Sequence, residues 1–230
     1  MIRVVPLTSE TWDALAALFR EGGDPRWCWC QWWRLRSKDF AALKVPELQA
    51  RLAAQAASPE PPGLVALESH PRGASDDAAA GGEDRALDGE RAAGHERAAG
   101  HERALDGERA VGWVSLAPLA TYERIVRSRV IPRVDDRPVW SVVCFAVSES
   151  ARGRGIGTAL LAAAIEHARD AGAVALEAYP ILIEEGTTIG AEAAFTGTLP
   201  MFERAGFHVV ADRASDPSSR YRRVVVRREL

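Results

Sequence analysis

The segment that most limits the fold is Arg152-Gly153-Arg154-Gly155-Ile156-Gly157-Thr158, set between an apolar run and a helical one. Val139–Val147 reads as a buried-type strand. After the turn, Leu160, Leu161, Ala164, Ile165 and Ala168 fall at helical spacing, and Gly172 supplies a stop just past Ala171. A helix entered through glycines begins with backbone N–H groups that have no intrahelical partner. The helix dipole adds partial positive charge there, and glycine keeps Cβ atoms out of the way. Arg152 and Arg154 add formal charge beside the same place. A pyrophosphate is the natural ligand of such a turn. The alternative is a plain, tight β–α connection.

Three nucleotide motifs compete for these residues. The P-loop needs G-x-x-x-x-G-K-[ST], and no Lys follows these glycines. The dinucleotide fingerprint needs G-x-G-x-x-G early in a βαβ unit, whereas here the pattern is G-x-G-x-G and falls late in the chain. The third pattern, R/Q-x-x-G-x-G/A, is met by Arg152, Gly155 and Gly157.

The rest of the chain frames this unit. Ile2–Pro6 is predicted as a strand. A helix follows with Thr8 or Ser9 as its N-cap and Trp12, Leu15, Leu18 and Phe19 on its apolar face. Pro46–Ala57 reads as a second amphipathic helix, opened by Pro46. Strands are expected at Gly63–Glu68, Ala110–Ala117, Ala173–Tyr179, Phe207–Asp212 and Arg220–Glu229, with short helices at Thr121–Ser128 and Thr198–Ala205 and a turn at Asp216-Pro217. The fold class that follows is mixed α/β (α+β), with helices on both faces of one sheet.

From Asp84 the chain reads DRALDG, ERAAGH, ERAAGH, ERALDG, ERAVGW, and the last hexad runs straight into a strand. Six is neither a heptad nor a helical period, every unit carries Gly, and large apolar residues are nearly absent. Such a tract buries too little area to offset its ordering entropy. Residues 70–108 are therefore expected to be a disordered, low-complexity insertion in a strand-to-strand loop of a single domain spanning 1–230. A partner-binding arm, or a metal tract using His95 and His101, is the functional alternative.

A formal net charge of −3 provides no broad basic field, so nucleic acid is not an expected partner. Cys28, Cys30 and Cys144 are odd in number, and the C-x-C pair has no second pair to complete a zinc site; neither a disulfide framework nor a metal is expected. No apolar run approaches the roughly 20 residues of a membrane span, and the first residues lack a signal-peptide pattern. A cytoplasmic protein without membrane contact is the expectation.

The chain resembles the GNAT acetyltransferases. The resemblance is carried by VVCFAV (142–147), RGRGIGT (152–158), AGA (171–173), ALEAYP (175–180) and MFERAGF (201–207), and it spans most of the chain outside 70–108. It implies a GNAT-type, mostly antiparallel mixed sheet and acetyl-CoA as co-substrate. The backbone of Phe145, Ala146 and Val147 would pair with the pantetheine arm like an added strand. Arg152, Gly153, Arg154, Gly155, Ile156, Gly157 and Thr158 would hold the pyrophosphate, and Phe202 would lie along the arm near the thioester. Two family features are missing. Many members carry a Tyr where Phe202 stands, and some carry a strand Glu at the position of Ser141.

Acid–base candidates come from strand alternation. Glu177 and Tyr179 share a face opposite Leu176 and Ala178, and a carboxylate inside an apolar strand is costly unless paired or used. Glu177 either serves in catalysis or pairs with a nearby Arg; Tyr179 either serves with it or packs. The Trp27–Trp33 run is either a binding wall for an aromatic or cationic acceptor or a plug under a loop. Cys144 reads as a small buried hydrophobe, and His167 and His208 as structural or solvent-facing. The expected activity is direct acetyl transfer to a primary amine of a small molecule or peptide. The alternative is an acyl-CoA-binding module or sensor with little catalysis. The resemblance also allows a homodimer.

Overall fold

The computed structural model describes residues 1–69, 107–182, 194–212 and 222–230. Residues 70–106 of the expected insertion and the Asp216-Pro217 turn fall outside those residues, and Glu108, expected to end the insertion, begins a strand. Of the repeats only the last, 108–113, is described, and it lies inside a strand.

One mixed sheet organises the molecule. Its strands are β1 (Ile2–Pro6), β2 (Gly63–Ser69), β3 (Glu108–Pro118), β4 (Trp140–Val147), β5 (Ala175–Ala178), β6 (Ile181–Leu182), β7 (His208–Asp212) and β8 (Arg222–Glu229). They run in the order β1-β2-β3-β4-β5-β8-β6, with β7 also on β8. Among the described strands β4 and β5 pair in parallel and the other pairs are antiparallel. Side-chain alternation sorts the core into two layers. Trp113 and Val143 face one side with Leu15, Phe19, Leu48 and Leu52; Val114 and Val142 face the other with Leu160, Leu161, Ile165 and Phe202.

The first layer is covered by α1 (Trp12–Glu21) and α4 (Val45–Ala56), and the second by α6 (Ile156–Asp170) and α7 (Leu199–Arg204). α4 starts as its sequence suggests, with Pro46 in the first turn and the Glu47 carboxylate accepting from the Lys44 N–H at 2.8 Å. α1 begins later than Thr8 or Ser9. Thr11 holds the cap position, and its hydroxyl accepts from the Thr8 N–H at 2.9 Å, closing a turn ahead of the helix instead of capping it. Three short helices add to the framework. α2 (Pro25–Cys28) and α3 (Ser37–Ala41) are absent from the sequence reading, and α5 (Glu123–Val126) occupies the middle of its expected range.

Gly112 sets how closely α6 approaches. A Cβ there would sit 2.6 Å from Ile156 Cγ2 and 3.0 Å from Leu160 Cδ1. The absence of a side chain on β3 thus seats the first turn of α6 directly on the sheet. No helix among the described residues is long and apolar enough to cross a membrane.

Candidate active site

The middle of the sheet opens. β4 and β5 pair at only three positions, Trp140–Val142 against Leu176–Ala178. β4 also holds an extra residue: Ser115 faces Cys144 and Leu116 faces Val142, so Val143 has no opposite number on β3. A bulge of this kind bends its strand and tightens the local twist. Beyond it, Cys144–Val147 keep β3 on one side and pair with no strand on the other among the described residues. Backbone amides and carbonyls directed at that edge are left to a ligand or to water.

The glycine turn stands at the end of this free edge. Gly153 and Gly155 have φ of +74° and +77°, and nothing lies within 4 Å of where their Cβ atoms would be. Gly155 caps α6 without a side-chain bond, and the first intrahelical donor is Ala159, whose N–H reaches the Gly155 carbonyl at 3.0 Å. The N–H groups of Ile156, Gly157 and Thr158 therefore have no partner within the helix. The two arginines differ in role. Arg154 is engaged by Glu68 on β2, which also receives Arg109 at 3.1 Å. The Arg154 hydrogen bond, with help from Arg109, brings the Glu68 carboxyl down to about 2. Arg152 is exposed and makes no ion pair among the described residues, so its charge is the one left for an anion.

A cavity of about 1170 Å³ adjoins the free edge. Phe145, Ala146, Val147 and Arg152 line it, and so do Glu21, Trp27, Trp32 and Trp33 from the N-terminal third of the chain. The loop after α1 reaches the cavity through two consecutive left-handed residues, Trp29 (φ +44°) and Cys30 (φ +51°). Left-handed backbone is costly away from glycine and persists where packing over-determines it. Here the Trp29 ring lies 5.8 Å from Trp12 and 5.5 Å from Phe19, while Trp113 Nε1–H donates to Cys30 Sγ at 3.1 Å. The side-chain amide of Gln31 donates to Gln55 on α4 at 2.9 Å.

This backbone divides the tryptophan run. Trp29 is a core residue, whereas Trp27 and Trp32 remain 58% and 42% exposed at the cavity. Trp29 is packed, as the plug reading expects, and Trp27 and Trp32 stand where a binding wall would have to be. All three cysteines also line the cavity, with the Cys30 and Cys144 sulfurs 4.0 Å apart.

Glu21 and Ser148 were not legible as site residues. Ser148 follows β4 directly and donates its hydroxyl to Glu21 Oε2 at 2.9 Å, tying the end of α1 to the end of β4. A signal was present nonetheless. Glu21 ends α1 at the negative pole of the helix dipole, where a carboxylate is unfavourable unless something else retains it.

Glu177 and Tyr179 do meet, as alternation predicts: the Tyr179 hydroxyl donates to Glu177 Oε2 at 3.2 Å and lies 3.2 Å from Ser141 Oγ. Both residues are buried, and neither lines the cavity. Glu177 is ion-paired to Arg227 at 2.6 Å, and the same guanidinium holds Asp135 at 2.5 Å. Burial first, and the Glu177 charge second, push the Tyr179 phenol well above its ordinary range. Phe202 is fully buried and does not line the cavity; it backs Phe145 edge-on at 6.2 Å and packs on Phe207 at 5.1 Å. His167 stands edge-on to Trp140 at 6.0 Å, and His208 is exposed.

No curated protein matches the sequence. Several solved structures resemble the chain at low identity. A GCN5-related N-acetyltransferase from Kribbella flavida is 18% identical over 100% of this chain and 98% of its own, with a TM-score of 0.48. An acetyltransferase of the GNAT family from Streptococcus pneumoniae is 14% identical over 100% of both chains, with a TM-score of 0.47. A chain of the NatC complex bound to Gag peptide and CoA is 12% identical over 100% of this chain and 98% of its own, with a TM-score of 0.48. The sequence profile of the acetyltransferase (GNAT) family matches residues 53–181, which take in the β4 edge, the glycine turn and all of α6. With more than half of its length matched in this way, the chain belongs to the GNAT family of acetyltransferases.

Proposed function

We propose that the protein transfers the acetyl group of acetyl-CoA directly to a primary amine of a small molecule or peptide. The observation that carries this reading is the free edge of β4 ending beside an uncapped, glycine-lined helix start, with the cavity on the same edge. The pantetheine arm pairs with the backbone of Phe145–Val147 as an added strand. The pyrophosphate sits on the N–H groups of residues 154–158 with Arg152 beside it. Phe202 steadies the arm from behind Phe145.

The amine nitrogen attacks the thioester carbonyl carbon, the C–S bond breaks, and CoA leaves as its thiolate. A backbone N–H on the open edge stabilises the oxyanion. The attacking nitrogen must lose a proton, and Glu21 is the carboxylate on the cavity wall that Ser148 holds next to the end of β4 by a hydrogen bond, unlike Asp24 and Glu149 on the same lining. Glu177 and Tyr179 are assigned a positioning role: with Arg227 and Ser141 they hold β4, β5 and β8 together at the point where the sheet opens.

Calorimetry with CoA and acetyl-CoA, followed by thiol release across a panel of amines, tests the reading. Association with both nucleotides and turnover of at least one amine are expected. No heat of association with either nucleotide would end it. For Glu21→Gln, a fall in kcat with an unchanged acetyl-CoA Kd is expected; an unchanged kcat would remove Glu21 from the proton-transfer step.

A further inference from the structure

The acceptor half of the cavity has a chemistry of its own, and it narrows the amine. Trp27 and Trp32 are exposed there although large apolar side chains are normally withdrawn from water, and a concentrated exposed patch of this kind marks a recognition surface. A guanidinium lies over each ring, and over Trp27 it is that of Arg26, 4.5 Å from the ring centre. The Arg124 guanidinium lies 3.8 Å over Trp32, while its Nε–H donates to the Trp32 carbonyl at 2.6 Å and its Nη1 to Ser37 at 2.8 Å. Phe40 meets the same indole edge-on at 5.2 Å. Across the cavity, Trp33 and Phe195 stand 6.4 Å apart.

The arginine decides what such a ring can accept. A cation already on one face of Trp32 draws its π density away from the other, which weakens that face as a partner for a second cation. The ring is left as a flat apolar platform, suited to stacking with an uncharged aromatic system. Trp33 adds a second indication: it lines the cavity, is 9% exposed, and its indole N–H has no hydrogen-bond partner among the described residues. Buried donors rarely stay unpaired, so an acceptor atom on a bound molecule would complete the wall. Charge is supplied separately. Glu21, Asp24 and Glu149 line the cavity without an ion pair among the described residues, while of the arginines on the same lining Arg109 is held by Glu68, Arg223 by Thr196, and Arg152 stands at the glycine turn; the carboxylates suit a protonated amine on arrival.

We propose that the acceptor is an amine carried on a flat, uncharged aromatic ring, with the ring stacked in the compartment of Trp27, Trp32, Trp33, Phe40 and Phe195 and the amine directed toward Glu21 and the end of β4. This rests on the acetyl-transfer reading for the fate of the amine, but not for the binding of the ring.

The test compares tyramine and tryptamine with butylamine and spermidine. With acetyl-CoA saturating, kcat/KM for the aryl amines should exceed that for the aliphatic ones at least ~10-fold, the scale on which a stacked ring differs from none. Trp32→Ala and Trp27→Ala should each raise the aryl-amine KM about 10-fold while leaving the KM for acetyl-CoA within about 2-fold. Both sites are partly exposed, and retained acetyl-CoA affinity shows that each variant has folded. Equal or better turnover of spermidine or butylamine would overturn the proposal, as would an unchanged aryl-amine KM in both variants. Aryl-amine binding is also read directly, by calorimetry and by quenching of tryptophan fluorescence. If acetyl-CoA fails to bind, the transfer reading falls while these signals still decide the proposal. Tyramine and tryptamine that neither bind nor react with a protein competent for acetyl-CoA would refute the ring compartment alone.

Discussion

Glu177 and Arg227 stand directly opposite each other on β5 and β8, and their side chains form an ion pair of 2.6 Å with less than a tenth of either exposed. The pair closes the sheet just before β4 and β5 separate, and the second arm of Arg227 binds Asp135 ahead of β4. Removing Arg227 strands the buried Glu177 carboxylate, whereas removing Glu177 leaves Arg227 still bound to Asp135. Arg227→Ala should cost about 3–5 kcal/mol of stability, read from urea denaturation, and Glu177→Ala clearly less. A double replacement by Leu and Met should cost clearly less than Arg227→Ala, because the buried carboxylate is gone and only the partly exposed Asp135 loses its partner. Equal losses in all three variants would show that packing, and not charge, dominates.

The glycines of the turn should separate folding from binding. Gly155 has φ +77°, so Gly155→Val should lose about 1–2 kcal/mol of stability and also weaken CoA binding. Gly157 has ordinary helical backbone, and a Cβ there meets only Met201 Sδ at 3.7 Å. Gly157→Ala should therefore leave the melting temperature unchanged or slightly higher, since alanine is the better helix former by about 1 kcal/mol. On the proposed placement of the pyrophosphate its CoA Kd should still rise, measured by calorimetry, because the added methyl group would border the phosphates. An unchanged Kd would place the pyrophosphate elsewhere.

Acid should loosen the link between β2 and the turn. The Glu68 carboxyl lies at about 2 in the folded protein against an ordinary 4.5, held down chiefly by Arg154. A depressed carboxylate contributes stability above its unfolded value, and the contribution disappears as pH falls toward the folded value. The melting temperature of the wild type should exceed that of Glu68→Gln above pH 4.5, and the two should converge as pH approaches 2. Parallel curves across that window would mean that the ion pair adds nothing to folding.

Ser69 and Glu108 face each other at the ends of β2 and β3, and the Ser69 hydroxyl donates to Glu108 at 3.3 Å. The chain that joins them therefore begins and ends at one point of the sheet. Deleting residues 84–106 shortens that connection and leaves β2 and β3 whole, and closure entropy changes slowly with length. Far-UV circular dichroism and thermal melting should show a shift within ~4 °C, the change that about 1 kcal/mol produces in a domain of this size. A larger loss would assign the repeats a structural role.

The parts of the fold legible in the sequence are those built from local rules. The β4–turn–α6 unit follows from an apolar run, positive-φ glycines and a helical stripe within about 30 residues, and the structure places Leu160, Leu161, Ala164, Ile165 and Ala168 in the core as the spacing requires. α2 and α3 lacked such a signal. Each is about one turn long, and neither buries a residue. α2 ends at Trp29 in left-handed conformation, and Arg124 stacks on Trp32 between the two helices; no local pattern encodes either feature.

The amino-acid sequence alone determined the proposed anion site, because glycines, helix start and arginines are neighbours along the chain and the unpaired N–H groups of a helix start need no distant partner. Tertiary structure decided which arginine remains available, since Arg154 is claimed by Glu68 from another strand and Arg152 is not. It also decided that Glu177 is a paired, buried group and that Glu21 belongs to the cavity wall. Those outcomes depend on strand register and on a one-residue bulge at Val143, which together bring residues 50 to 127 positions apart into contact. A shift of one residue reverses the face of every side chain along a strand, and that information lies in the packed sheet as a whole.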